Sequence, residues 1–462
     1  MKEQVKQIHF VGIGGVGMAG IAEVCLNLGY VVSGSDLKHN PTVARLESLG
    51  ALIQLGHDAD HVKNTDVVVV STAIGPGNPE VDWARGARVP VIPRAEMLAE
   101  LMRMRFGIAI AGTHGKTTTT SLAAAVLTQG GIDPTFVIGG KLNQVGSNAR
   151  LGSSKYLVAE ADESDASFLH LSPMMSVVTN IDEDHMETYQ GDYQILENTF
   201  IEFIHRLPFY GIAIMCIDDE NIQKILPKLS RKILTYGFSE IADVRAINVQ
   251  AKGLQMEFQV LIGREVSFDV TLNLPGKHNV LNALAAIAIG LKLDVSIDAI
   301  QQGLAEFGGV GRRFEVYPQR TIASHNVTLV DDYGHHPTEL EATIATAKAA
   351  FPERRLVLVF QPHRYTRTRD LFDDFVQALL GPDLVILLDV YAAGEAHLPM
   401  FDSKALLQAL RIRGGNGFYA DSLEQLNTLA GDVLQDNDVL LVMGAGDVGQ
   451  VSKAWQEQGA LV

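Results

Sequence analysis

A chain of 462 residues is long enough, at roughly 150 residues per domain, for about three domains with separate cores. Its 47% apolar and 20% charged residues fit a folded globular protein and exclude long disorder. With 54 acidic against 37 basic residues the net charge is −17, which argues against nucleic acid or an anionic membrane surface as a partner.

Any anionic ligand must therefore be held by local arginines, lysines and loop amides against the global field. The longest apolar runs, DLVILLDV and DVLLVMGAG, are strand-sized and fall short of the roughly 18 residues that span a membrane. The opening MKEQVKQIHF lacks a signal-peptide apolar region, and Cys25 and Cys216 offer neither a disulfide framework nor a zinc spacing. The expectation is a cytoplasmic protein with no membrane segment.

From residue 7 the strands QIHFVG, YVVSGSD, DVVVVSTA and VPVIPR alternate with helical patterns, the first over about 17–28, which predicts a small parallel α/β unit. Gly12, Gly14 and Gly17 form G-x-G-x-x-G between the first strand and its helix, and Asp36 follows 19 residues after the last glycine. This is the dinucleotide fingerprint. On these residues alone it serves NAD(P), another nucleotide diphosphate or a tight turn equally well. A nicotinamide-dependent oxidoreductase stays open at this point.

After Pro93 a helical AEMLAELMRM leads into the strand FGIAIAG, so a boundary is expected near residue 100. The loop that follows, Gly112, Thr113, His114, Gly115, Lys116, Thr117 and Thr118, has the mechanics of a P-loop. Its amides can surround phosphate, Lys116 can reach the terminal phosphates and the Thr117 hydroxyl can ligate Mg²⁺. Ile110 stands where the usual first glycine would be. The alternative, a plain turn with a solvent lysine, is disfavoured by the preceding strand and the four threonines that open a helix.

YLVAEADESD places Glu160, Asp162, Glu163 and Asp165 just after a buried strand, where a carboxylate can meet phosphate-bound Mg²⁺. A solvated acidic loop is the competing account. TNIDEDHMETY also follows a strand end, and its His185 is by itself an ordinary structural histidine as readily as a ligand. LQMEFQVLIGREVSFDVTLNLPG reads as antiparallel β. Asn279 and Asn282 share one face at the start of a helix and can read a purine edge, although capping accounts for Asn279 equally well.

FGGVGRRF then punctuates the chain and offers Arg312 and Arg313, suited to bridging a phosphate. A third α/β pattern follows. Asp332, Tyr333, His335 and His336 come after one of its strands, and His363, Arg364 and Arg367 after another. Strand C-terminal ends are where open α/β sheets bind ligands.

Taken together, GIGGVGMAGIAE, SGSD, AGTHGKTTTT, EADESDASFLH, TNIDEDHMETY, PGKHNVLNALAA, GVGRRF, DDYGHHPTE and QPHRYTRTRDLFDDF resemble the Mur ligase family, the ATP-dependent amide-forming enzymes of bacterial peptidoglycan synthesis. They run from residue 12 to about 375, and GAGD at 444–447 is a weaker late match. The resemblance implies an α/β fold of three domains: a Rossmann-like UDP-sugar-binding domain at 1–100, a P-loop ATPase domain with a mixed sheet at 101–313, and a Rossmann-like domain for the amino acid at 314–462. The first glycine loop would hold the UDP diphosphate of a substrate and the second the phosphates of ATP, with no hydride chemistry.

Within the family the motifs are most similar to the branch that joins L-alanine to the lactyl carboxylate of UDP-N-acetylmuramate. The runner-up is the recycling branch, which attaches a tripeptide to the same nucleotide. By resemblance, Thr117 and Glu160 would ligate one Mg²⁺ and His185 a second. Asn279 and Asn282 would face adenine, Asp332 the ribose, and Arg312 or Arg313 the γ-phosphate.

Tyr333, His335, His363, Arg364 and Arg367 would receive L-alanine and the muramyl carboxylate, while Gly14, Gly15, Val16, Gly17 and Asp36 would lie along the UDP-sugar. Lys116, Glu160, His185, Arg364 and Arg367 would carry the catalysis. Several sibling ligases have a carbamylated lysine soon after the histidine ligand, but GDYQILENTFIEF contains no lysine, which raises Glu197 as a substitute. The protein is expected to be a monomer or weak homodimer whose domains close to keep water from an acyl phosphate. A nucleotide switch without synthesis is a third class; ATP turnover independent of carboxylate and amine would reveal it.

Overall fold

The alternation of short apolar strands with helices is realised on three sheets. The computed structural model describes residues 4–71, 73–143, 147–263 and 265–458. The first sheet comprises β1 (Gln7–Val11), β2 (Val31–Asp36), β3 (Leu52–Leu55), β4 (Val67–Val70) and β5 (Val91–Pro93), all parallel, in the order β3-β2-β1-β4-β5. The chain winds one way from β1 and then returns to the other side at β4. That reversal opens a crevice beyond the C-terminal end of β1, where the first glycine loop lies.

Beneath that loop is a buried polar network. Glu80, fully buried, accepts hydrogen bonds from Ser35 Oγ at 2.6 Å and pairs with His61 at 2.7 Å and His57 at 3.0 Å. His9, also fully buried, lies 3.6 Å from the same carboxylate and 3.0 Å from Ser33 Oγ. Burial alone would raise the Glu80 pKa, but the hydrogen bonds from His9, Ser35 and His61 outweigh it and bring the group down to about 2.

The second sheet contains β6 (Phe106–Ala111), β7 (Thr135–Leu142), β8 (Ser147–Arg150), β9 (Tyr156–Glu160), β10 (Met175–Val178), β11 (Ile212–Cys216), β12 (Lys232–Gly237), β13 (Val244–Lys252), β14 (Gln255–Ile262) and β15 (Glu265–Leu272). Its order is β15-β14-β13-β12-β11-β10-β6-β9-β7-β8, with β6 parallel to both its neighbours and β7–β8 antiparallel. The ends of β10, β6 and β9 are therefore adjacent, and the three polar motifs that follow them meet.

The third sheet, β16 (Glu315–Ile322), β17 (His325–Asp332), β18 (Leu356–Phe360), β19 (Leu384–Leu388), β20 (Gly417–Ala420) and β21 (Val439–Met443), runs β16-β17-β21-β18-β19-β20 and is parallel except for β16. Its strands are continuous apolar runs because both faces are covered. Val330, Leu358 and Leu441 pack into one core and their neighbours Leu329, Val357 and Leu440 into the other.

The chain divides into two units, one of Met1–Ile247, Gln259–Val270 and Leu281–Gly308, the other of Asn248–Phe258, Thr271–Val280 and Gly309–Val462. The first sheet and β6–β12 lie wholly in the first unit, and the third sheet in the second. Among the described residues no helix is long and apolar enough to cross a membrane.

Candidate active site

Two glycines shape the loop after β6. Gly112 has φ 127° and Gly115, the N-cap of the helix Lys116–Gln129, has φ 82°. A Cβ at Gly112 would fall 2.1 Å from Thr179 Oγ1, and one at Gly115 would fall 2.5 Å from Asn282 Oδ1. Conformation and space both demand glycine.

Lys116 is not a solvent lysine. Its Nζ donates to Gly112 O at 2.7 Å and Thr113 O at 3.0 Å and pairs with both Glu163 oxygens at 2.9 and 2.8 Å. Burial works against its charge, but Glu163, Asp162 and Glu160 outweigh that and raise its pKa, while burial pushes Glu163 up to about 7 despite the lysine. Thr117 and Thr118 are buried in the first helical turn, and Thr119 Oγ1 donates to Asn282 Oδ1 at 3.1 Å.

The end of β10 braces the loop. Asn180 accepts from His114 N at 2.8 Å and donates to His114 O at 3.0 Å. Thr179 Oγ1 donates to the same carbonyl at 2.6 Å, Asp182 N donates to Thr113 Oγ1 at 2.9 Å, and Asp182 Oδ2 lies 3.0 Å from His114 Nε2. Thr179, Asn180 and Asp182 escaped the sequence reading. Their signal, polar residues crowded on a strand end, acquires meaning only once β10 is known to neighbour β6.

His185 follows with φ 54°, its ring a quarter exposed and its Nε2 3.5 Å from Asp184 Oδ2. Glu197 is engaged elsewhere: it pairs with Lys228 and accepts from Gln194 at 3.0 Å, and the Lys228 contact chiefly lowers its pKa. Glu197→Ala is accordingly expected to leave Mg²⁺ dependence unchanged in a metal titration of activity and to cost about 1–3 kcal/mol in a urea melt, since the carboxylate is buried.

The four acids of EADESD separate into distinct tasks. Glu160 ends β9 and accepts from Gly139 N at 2.7 Å. Asp162 accepts from Ser164 N at 3.1 Å and lies 3.3 Å from Arg94 Nη2. Glu163 holds Lys116, and Asp165 caps a turn through Ser167 N at 2.9 Å. Burial would raise the Asp162 pKa, but Lys116, Ser164 and Arg94 lower it overall.

At the first glycine loop, Ser35 O accepts from Gly12 N at 2.8 Å and Ile13 N at 3.0 Å, and Gly15 caps the helix Val16–Asn27. Asp36 accepts from Gly14 N at 2.8 Å with one oxygen and from Lys38 N at 3.2 Å with the other. Its carboxylate shapes the loop, which counts against the ribose-binding duty that a dinucleotide fold would give it.

A cavity of about 590 Å³ opens at the first loop and extends to Lys116 of the second. Gly12, Gly14, Gly15, Val16, Gly17 and Asp36 line one part, and Lys116, Glu160 and Asp162 another. Arg94, which the sequence reading left out, lines it too.

In the second unit, Asn279 is buried and donates to Pro275 O at 2.7 Å. Asp332 ends β17 and accepts from Phe314 N and Gly334 N, both at 2.7 Å; burial pushes it up to about 6 against Arg313 and these amides. Arg312 donates to Gly444 O at 2.7 Å and to Asp331 at 3.2 Å, and Arg312 and Arg313 each lie 5.3 Å from the Tyr333 ring.

The rings of Tyr333, His335, His363 and Tyr391 follow one another at 5.5, 5.5 and 5.4 Å. Arg367, buried, donates to His363 O at 3.1 Å, and Arg364 has φ 71° with Nη1 3.9 Å from Glu395. Tyr391 was not read from the sequence. A Cβ at Gly446 would lie 2.7 Å from its ring, which gives the late GAGD stretch a packing reason. His336 is the N-cap of the helix Pro337–Ala350, in a capping box with Glu339.

Two glycine loops, the first lining a cavity and the second reaching it through Lys116, with a further Rossmann-like domain carrying clustered histidines and arginines, define a three-domain enzyme of the α/β class. The chain belongs to the Mur ligase family: the Mur ligase family catalytic domain matches residues 7–106, the Mur ligase middle domain 110–290 and the Mur ligase glutamate ligase domain 312–446.

It is 75% identical, over 99% of its length and 100% of the relative's, to a UDP-N-acetylmuramate–L-alanine ligase of Hydrogenovibrio crunogenus. It is 58% identical, over 96% and 92%, to one of Halorhodospira halophila. Among solved structures, a UDP-N-acetylmuramate-alanine ligase of Thermotoga maritima superposes with TM-score 0.83 at 29% identity, covering 98% of both chains. A murein peptide ligase of Psychrobacter arcticus gives 0.71 at 25%, covering 99% of both.

Proposed function

We propose that this chain is an ATP-dependent ligase that joins L-alanine to the lactyl carboxylate of UDP-N-acetylmuramate, in cytoplasmic peptidoglycan precursor synthesis. Near-full-length identity to ligases of that name supports the substrates. The observation that carries the chemistry is a cavity that the first glycine loop lines and that Lys116 of the second loop reaches. A diphosphate at Gly14–Gly17 would let the far end of a sugar nucleotide reach Lys116, so the two loops serve two nucleotides in one reaction.

A carboxylate is a poor acyl donor. Transfer of the ATP γ-phosphoryl group to the lactyl carboxylate gives an acyl phosphate, and the amine of L-alanine then attacks its carbonyl through a tetrahedral intermediate and expels phosphate. In that sequence Lys116 exchanges Glu163 and the loop carbonyls for phosphate oxygens and neutralises the charge in transfer. Thr117 and Glu160 are assigned to one Mg²⁺ and His185 to a second, and the metal would screen the phosphates.

Asn279 and Asn282 are assigned to adenine, Asp332 to ribose and Arg312 or Arg313 to the γ-phosphate. Tyr333, His335, His363, Arg364 and Arg367 are assigned to L-alanine and the muramyl carboxylate. The proposed domain limits are 1–100, 101–313 and 314–462.

The test is ADP release with ATP, Mg²⁺ and UDP-N-acetylmuramate, comparing L-alanine, glycine, a tripeptide and no amine. Turnover that requires both the sugar nucleotide and L-alanine is expected. Turnover with the tripeptide alone would move the chain to the recycling branch, and turnover without carboxylate or amine would make it a nucleotide switch.

A further inference from the structure

The cavity wall carries three carboxylates, Asp36, Glu160 and Asp162, in a protein of net charge −17. A sugar nucleotide brings a diphosphate into that field, so loop amides need a cation beside them. Among the described lining residues the cations are Lys116 and Arg94. Lys116 belongs to the second loop and is held by Glu163 and two carbonyls.

Arg94 stands at the first loop. It opens the helix Arg94–Arg103, whose Met97, Leu98 and Leu101 are buried and anchor it. Its guanidinium packs directly over the first turn of the helix Val16–Asn27: a Cβ at Gly17 would lie 2.9 Å from Nη1 and 3.3 Å from Cδ. The arginine occupies the space over Gly17, and a Cβ there would push its guanidinium aside. The other side of the guanidinium lies 3.3 Å from Asp162 Oδ2, and the side chain keeps 25% exposure.

We propose that Arg94 is the diphosphate ligand of the sugar-nucleotide site, pre-oriented by Asp162 and by the notch at Gly17. The inference rests on the functional reading above and adds a binding residue to it. A planar guanidinium suits the role because it can hold phosphate oxygens on one edge while the other edge stays on the carboxylate. Release or sharing of Asp162 would link occupation of the first loop to the acidic loop beside Lys116.

The test titrates the full-length enzyme with UDP-N-acetylmuramate and with UDP-N-acetylglucosamine, which has the same diphosphate and no lactyl carboxylate. Arg94→Ala is expected to weaken both by the same factor, roughly 10- to 100-fold, with KM for ATP held within about twofold. Arg94→Lys should recover part of the loss. Gly17→Ala, which keeps the charge but fills the notch, should weaken both ligands in parallel with the same thermal unfolding as wild type.

A loss confined to UDP-N-acetylmuramate would overturn the proposal in favour of the carboxylate. Unchanged binding with a lower kcat would overturn it in favour of a role through Asp162. Failure of the wild type itself to bind UDP-N-acetylmuramate would instead remove the functional reading.

Discussion

Lys116→Ala is expected to lower ADP formation by about 10²- to 10³-fold, the range for removing one preorganised donor from an anionic transfer. The structure makes the effect separable from folding. The lysine satisfies two loop carbonyls and Glu163, so its loss leaves acceptors without a donor and costs about 1–3 kcal/mol. Glu163, already pushed up to about 7 by burial, can relieve its part by taking a proton.

The double variant Lys116→Ala with Glu163→Gln should therefore recover stability in thermal unfolding without recovering turnover. Lys116→Arg should not rescue either, because a planar fork does not fit three acceptors converging on one point. Near-wild-type kcat in Lys116→Ala would remove this residue from the chemistry.

The second large effect concerns stability. Glu80 is depressed from 4.5 to about 2 in the folded chain. A carboxylate with a lowered folded pKa contributes stability that is fully present above its unfolded value and is lost as pH falls through the folded one. The window thus runs from about 4.5 down to about 2, and the contribution at neutral pH is on the order of 3 kcal/mol. Glu80→Gln keeps the volume and removes the charge that His9, His57 and His61 face. Urea unfolding should show a deficit of that order near neutrality, and the gap to wild type should shrink below about pH 4. A gap independent of pH would show that packing, not ionisation, makes Glu80 valuable.

Much of the architecture was legible because it is written in local chemistry. A glycine pattern between an apolar strand and a helix has few meanings, and Gly-Lys-Thr after FGIAIA has fewer. Continuous runs such as LVLVF and VLLVM announced strands covered on both faces. Strands at sheet edges were not legible: β3 is only four residues long, with Leu52, Gln54 and Leu55 exposed, and β16 contains Pro318 and an irregular register between Tyr317 and Arg320. Most of their residues lie at a sheet margin, with Ile322 of β16 the exception that enters a core.

The candidate site divides in the same way. Sequence alone determined which residue types were present to bind phosphate, because glycine conformation, lysine charge and strand-end position are properties of a few neighbouring residues. Tertiary structure decided which of them act together. It alone brought Thr179, Asn180 and Asp182 from β10 onto the loop after β6 and turned Asp36 inward onto Gly14 N. It also distributed four similar acids among a cavity wall, a lysine and a turn, and carried Arg94 to Gly17 across 77 residues of chain. Such choices depend on strand order and on distances between segments far apart in sequence, and no local pattern encodes them.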